Sequence, residues 1–308
     1  MPERYSYITV DVFTDRAFAG NPLAVVTDAS GLTPEQMQAI AAEFNYSEST
    51  FVLPPDDRSH TARVRIFTRQ NEIPFAGHPN VGTAFVLALV AERSGRTLGS
   101  TVVFEEGAGR VPVDLIRDAE GRVTGATLTA PQPLTVGKTI PAAVVTECVG
   151  LEPTAVLTSR HEPIVASVGL PFVIAEVADN AIGAARPDTR AFSDAARRFP
   201  LENGRFSIHL YARTAGRKGQ ADLRARMFSP LGGTVEDPAT GSANGALGAL
   251  LASLEPAADA ALAFDVLQGV EMGRPSLLAV SAEKRAGSIV RVRVGGRCTP
   301  VMEGVLTV

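Results

Sequence analysis

Tryptophan is absent from this chain, tyrosine occurs four times and cysteine twice. So few aromatic side chains leave no stacking platform for nucleic-acid bases. Cys148 and Cys298 have no Cys or His at metal-ligand spacing nearby, so the chain offers neither a disulfide framework nor a zinc site. A basic surplus is missing as well: the formal net charge of -4 argues against nucleic acid as a partner. No apolar run approaches the roughly 20 residues that span a bilayer. The opening Met1-Pro2-Glu3-Arg4-Tyr5 carries no signal-peptide core. These absences lead us to expect a soluble cytoplasmic protein without a membrane partner. What remains is ordinary for a globular protein, 45% apolar and 20% charged over 308 residues. That length suits two domains of about 150 residues each.

The most informative stretch is Phe75-Ala76-Gly77-His78-Pro79-Asn80-Val81-Gly82, which runs into the apolar segment from Thr83 to Ala91. The pattern predicts an irregular turn at a helix N-terminus, where four amide groups lack intrahelical partners and the dipole attracts an anionic group. The chain repeats this arrangement in Glu236-Asp237-Pro238-Ala239-Thr240-Gly241-Ser242-Ala243-Asn244-Gly245, followed by the apolar Ala246 to Ala252. Strand-like segments of one pattern precede both, Arg65-Ile66-Phe67-Thr68 and Arg226-Met227-Phe228-Ser229. A duplication at such long spacing predicts two related domains, not a solenoid.

The other elements follow from period and punctuation. Alternation predicts a strand over 5–13, a turn over 18–22 and a strand over 23–26. Thr33, Pro34 and Gln36 form a capping-box pattern that opens a helix with Met37, Ile40, Ala41 and Phe44 on one face. Strands are expected over 49–53, 61–68, 101–104, 111–115 and 123–128. The two prolines of Thr129-Ala130-Pro131-Gln132-Pro133 make it the best linker candidate. Beyond it we expect helices over 142–149 and 188–199, and strands over 164–168, 172–177, 206–212, 222–228, 262–267, 277–282, 289–294 and 301–308. Many short strands around one apolar helix per half point to sheet wrapped on helix.

Gly20-Asn21-Pro22-Leu23-Ala24-Val25, Tyr46-Ser47-Glu48-Ser49-Thr50-Phe51, Phe75-Ala76-Gly77-His78-Pro79 and Glu236-Asp237-Pro238-Ala239-Thr240-Gly241-Ser242-Ala243 stand in the order expected of one family. With Gln268-Gly269 and Gly273-Arg274-Pro275-Ser276 as a weaker C-terminal match, the chain resembles the PhzF family over nearly its whole length. These are phenazine-biosynthesis-like proteins, related in fold to diaminopimelate epimerase. The resemblance implies an α+β fold of two similar domains, each a barrel-like β-sheet around a central helix, with the active site between them. The domains would be 1–129 and 130–308, with the strand near 297–308 free to pack back onto the first. A homodimer without cofactor or metal is implied, as is isomerase activity like that on trans-2,3-dihydro-3-hydroxyanthranilate, in which a proton moves from C3 to C1.

Three residues then become catalytic candidates. Glu48, as a lone glutamate, reads as an exposed acid at a strand start; the resemblance makes it the acid/base group. A carboxylate can give up and retake a proton near neutral pH if partial burial raises its pKa. His78, placed in the turn before the helix, would bind and orient substrate beside the Gly77 amide. Asp237 reads either as an Asp-Pro turn initiator or, by the resemblance, as the group holding a substrate amino or hydroxyl group. Gly241 and Ser242 would add amide and hydroxyl donors at the second helix start, where Ser242 also reads as a plain N-cap. Asn21 stabilises a Gly-Asn-Pro turn on its own terms, and the related epimerases suggest a substrate contact. The expected partner is a small carboxylated molecule.

Diaminopimelate-type epimerases use one cysteine from each half, and here the matching regions carry His78 and Ser242. A two-thiol racemase is thereby disfavoured, and both cysteines read as packing residues. Two alternatives stay open: an epimerase or lyase on the same scaffold, and a metabolite-binding protein that does no chemistry.

Overall fold

A computed structural model describes residues 3–201, 204–214 and 221–308. It separates into two compact units, Met1–Thr129 with Gly295–Val308, and Ala130–Val294. The first unit contains β1 (Arg4–Val12), β2 (Asn21–Val26), α1 (Pro34–Phe44), β3 (Glu48–Leu53), β4 (Ala62–Thr68) and β5 (Glu72–Ile73). It continues with α2 (Gly77–Arg93), β6 (Thr101–Glu106), β7 (Gly109–Arg117) and β8 (Val123–Thr129). The second unit contains β9 (Thr135–Thr139), α3 (Ala142–Val149), β10 (Val156–Leu157), β11 (Ile164–Ser167), β12 (Pro171–Val177), α4 (Asp179–Ile182) and α5 (Thr189–Arg198). Then come β13 (Ile208–Arg213), β14 (Leu223–Ser229), β15 (Thr234–Asp237), α6 (Gly241–Ser253), β16 (Ala260–Gln268), β17 (Ser276–Arg285) and β18 (Ser288–Thr307). Residues 288–294 of β18 belong to the second unit and 295–307 to the first.

The first unit closes on itself. β1 pairs with β2, β2 with β3, β3 with β4, β4 with β6, β6 with β7 and β7 with β8. The 295–307 stretch of β18 joins β8 to β1 and completes the ring. Inside it α2 is buried through most of its length and packs on β1, β2, β3, β7 and β8. A helix with no polar face needs such a wrapping. The close fit is set by Gly82, where a Cβ would stand 2.6 Å from a Leu23 methyl and 2.8 Å from Val12. Outside the ring, the Thr33–Gln36 capping box opens α1, whose Met37, Ile40 and Ala41 cover Val26, Phe51 and Phe67.

The second unit repeats the plan residue by residue. β12 and β13 are parallel like β2 and β3, and β14 and β16 are parallel like β4 and β6. Ile66 pairs with Ile73 as Met227 pairs with Asp237, and Phe67 with Glu72 as Phe228 with Glu236. The Arg65 guanidinium forks onto Glu72 through Nε and Nη2, and Arg226 forks onto Glu236 through the same atoms. α6 is the buried central helix here, against β11, β12, β16 and β17. α3 and α5 share a core with β12 and β13, in which Val145 and Phe192 cluster with Val173, Leu210 and the Phe206 that precedes β13.

Three local expectations change. Asn21 and Pro22 are the first residues of β2, not part of the preceding turn. Thr240 occupies the N-cap position of α6, which makes Ser242 a first-turn residue and not the cap. The tail is one strand where two were expected, because Gly295, Gly296 and Pro300 look like breaks in a one-dimensional pattern. Gly295 lies so near β8 that a Cβ would meet the Ala126 carbonyl at 2.7 Å, a close approach that glycine permits inside a strand.

Candidate active site

In the first unit the start of α2 meets the starts of β2 and β3. Leu23 stands opposite Glu48 in the parallel register, so Asn21, Pro22 and Glu48 share one end of the sheet. Gly20 makes the approach possible: its φ of +66° and the Val12 carbonyl beside it leave no room for a side chain. Gly77 and His78 open α2 itself, so His78 lies within the first turn and not before it. Its N-cap residue, Ala76, offers no side-chain acceptor to the exposed amides.

His78 is buried, and its Nε2 stands 3.7 Å from Glu48 Oε2, whose side chain is 19% exposed. Nε2 is enclosed and has no hydrogen-bond partner. The ring donates to the Pro22 carbonyl; with Nε2 unpaired, that proton belongs to Nδ1. Asn21 Nδ2 also lies 3.4 Å from Nδ1, too long and with the wrong polarity to set the tautomer. Burial drives the His78 pKa down to about 3, only partly countered by the Pro22 bond. The imidazole is therefore neutral at working pH, and its Nε2 lone pair faces the Glu48 carboxyl. Ser47 Oγ donates to Asn21 Oδ1 at 3.4 Å and joins Asn21 to the residue before Glu48. A carboxyl group and an unused acceptor nitrogen side by side can hold a proton donor between them and move its proton.

In the second unit the start of α6 carries Asp237, Gly241 and Ser242, with a chain of buried hydrogen bonds behind them. Asn244 donates from Nδ2 to the Thr240 carbonyl at 3.0 Å and to Gln268 Oε1 at 2.7 Å. That fixes its Oδ1 as the acceptor facing His209 Nε2 at 3.2 Å. Gln268 Nε2 donates to the Asp237 carbonyl at 2.8 Å and to Thr240 Oγ1 at 3.2 Å. Thr240 Oγ1 in turn donates to Asp237 Oδ2. One route through this series, from Asn244 to Gln268 to the Thr240 hydroxyl, ends on the Asp237 carboxylate.

The sequence-derived residues thus fall into two groups: Asn21, Glu48, Gly77 and His78 in the first unit, and Asp237, Gly241 and Ser242 in the second. Ser47, Thr240, Asn244, Gln268 and His209 are additional. Asn244 was within reach, since Gly77-His78-Pro79-Asn80 aligns with Gly241-Ser242-Ala243-Asn244, and each Asn donates to the carbonyl four residues back. His209 sits alone in a strand with no spacing to mark it. Among the described residues, no cluster of His, Cys, Asp and Glu could hold a metal ion, and no helix is long and apolar enough to cross a membrane.

Two barrel-like sheets, each around a buried helix whose first turn carries polar groups, define the class of epimerase-like folds. The hydroxyproline epimerase from Agrobacterium vitis shares this fold, with a TM-score of 0.62 at 15% identity over 100% of this chain and 94% of that one. Residues 10–304 match the model of the PhzC-PhzF family, described as phenazine biosynthesis-like protein. The chain belongs to that family. An uncharacterised isomerase of Mesorhizobium japonicum is 39% identical over 98% of both chains. The trans-2,3-dihydro-3-hydroxyanthranilate isomerase of Pseudomonas fluorescens is 38% identical over 95% of both. The crystal structure of a PhzF-family phenazine biosynthesis protein from Bacillus anthracis superposes with a TM-score of 0.86 at 25% identity, covering 99% of this chain and 100% of that one.

Proposed function

We propose that this isomerase-family protein moves a proton within a small carboxylated substrate, with Glu48 as the group that takes and returns it. The observation that carries this reading is the pair formed by Glu48 and the unpartnered Nε2 of His78, 3.7 Å apart. Glu48 takes a proton from a carbon made acidic by conjugation, and the C–H electron pair passes into the substrate's π system. The protonated carboxyl then returns the proton to a second carbon of that system, so atoms and electrons balance within the substrate. Neutral His78 accepts a hydrogen bond from a substrate hydroxyl or ammonium group. The free amides at the start of α2 suit negative charge. Asp237 holds a donor group, with Gly241 and Ser242 as further binding residues. Asn21, at the same end of the sheet, is a further substrate-binding residue. A homodimer and a cytoplasmic location belong to the same reading; sedimentation and cell fractionation test them.

Relatives named for trans-2,3-dihydro-3-hydroxyanthranilate isomerisation make that compound the first substrate to try. Proton NMR in D₂O should show the C3 proton disappearing and product forming with wild type. Glu48→Gln should slow this by about 10²–10⁴-fold, the usual contribution of a positioned acid/base group. Equal turnover by both proteins would remove Glu48 from the mechanism. Inactivity of both would reject this substrate.

A further inference from the structure

The duplication pairs Gln268 with an acid. In register, Ala62 faces Phe104 in the first unit as Leu223 faces Val266 in the second. Two residues further along the same strands stand Glu106 and Gln268. Both close the strand that follows a central helix, and the asparagines at the fourth positions of those helices, Asn80 and Asn244, match likewise. Gln268 uses its amide fully: Oε1 accepts from Asn244 and from the Thr240 amide, and Nε2 donates to the Asp237 carbonyl and Thr240 Oγ1. The counterpart of Asp237 in the first unit is Ile73, and in the second unit this position serves as a donor towards backbone as well as an acceptor. An ionised glutamate supplies only acceptors.

We propose that Glu106 works as a neutral carboxylic acid, an isostere of the Gln268 amide, and positions the start of α2 that carries Gly77 and His78. Both its oxygens are enclosed, with the Asn80 side chain the polar group beside them, and Asn80 Oδ1 is itself enclosed and unpartnered. A buried charge in that setting is costly, whereas a protonated acid brings the missing donor. Charged neighbours do not offset the cost. Arg63 and Arg110 stand opposite Glu105, whose side chain takes the other face of β6 and binds His60. On α2, His78 is neutral. Burial raises Glu106 to about 8 against a smaller, lowering contribution from the Asn80 side chain.

The positional role rests on the assignment of His78 to the site, but the protonation state does not. Two readouts separate them: urea midpoints at pH 5, 7 and 9, and turnover in the NMR assay, each for wild type, Glu106→Gln and Glu106→Leu. A folded pKa above the unfolded one adds stability that is full at low pH. That stability is lost as pH rises from the ordinary glutamate range to about 8. The wild-type midpoint should therefore fall from pH 5 to pH 9 relative to Glu106→Gln, and the two should converge at pH 5. Parallel midpoints across the range would overturn the neutral-acid assignment. Glu106→Gln should match wild-type turnover at pH 7 and exceed it at pH 9, with Glu106→Leu at least tenfold slower in kcat. A Leu variant as active as the Gln variant would overturn the positioning role. Undiminished turnover by Glu48→Gln would instead locate the failure in the Glu48 mechanism, and the urea midpoints would still decide the neutral-acid assignment.

Discussion

Two imidazoles are held neutral by burial, His78 near the Glu48 carboxyl and His209 at the head of the chain that ends on Asp237. For His209, burial lowers the pKa to about 4, against an ordinary value near 6.5. The unfolded chain binds the proton first as pH falls, so the stability present above pH 6.5 is lost on the way down to pH 4. Between pH 7 and pH 5 the loss from this residue amounts to about 2 kcal/mol. Urea denaturation at the two values should show a smaller drop for His209→Gln than for wild type, by about that amount. Residues of this kind were hard to find in advance. Asn21 and His78 sit among glycines and prolines and Glu48 in the string Tyr46-Ser47-Glu48-Ser49-Thr50-Phe51, and the three lie together in the first unit. His209, Gln268 and Glu106 sit in plain strand sequence, where only the cross-strand register shows what they face.

Elements were readable where local chemistry closes the argument. The Thr33–Gln36 box marks the start of α1 to the residue, because the cap bonds are made by side chains three positions apart. The beginnings of α2 and α6 were displaced by a few residues, since neither has a side-chain cap and their glycines resemble turn. β18 was split in two for the opposite reason: its glycines answer to a neighbouring strand far away in sequence. The glycine inside α2 makes a direct test. Gly82→Val would drive a branched side chain into Leu23 and Val12, whose atoms already lie 2.6 and 2.8 Å from a Cβ. Overpacking of this kind should cost about 1–3 kcal/mol, visible as a lower urea midpoint with unchanged slope. Gly95→Ala, where nothing surrounds the site within 4 Å, isolates backbone strain as the comparison.

At the level of the whole molecule, the twofold repeat was visible in the sequence itself, whereas the return of the strand near 297–308 to the first unit was expected only from the family resemblance. That ring depends on Gly295–Val308, whose residues pair with β1 from Arg4 opposite Thr307 to Val12 opposite Cys298. Deleting 295–308 from the chain should strip β1 of its partner. Hydrogen exchange followed by mass spectrometry should then show β1 and β8 amides exchanging roughly 10²-fold faster or more, while β12 and β13 in the second unit stay protected. Uniform loss of protection in both units would mean that they unfold as one.

The same strand sets a timetable. During synthesis, β1 and β8 emerge early, but their shared partner is made only after the intervening 130–294 stretch. At about 5–20 residues per second, that interval is on the order of 10–30 s. For that time the nascent N-terminal half carries two open strand edges, the feature that invites pairing with other chains. The first unit is thus completed only after the second has been made.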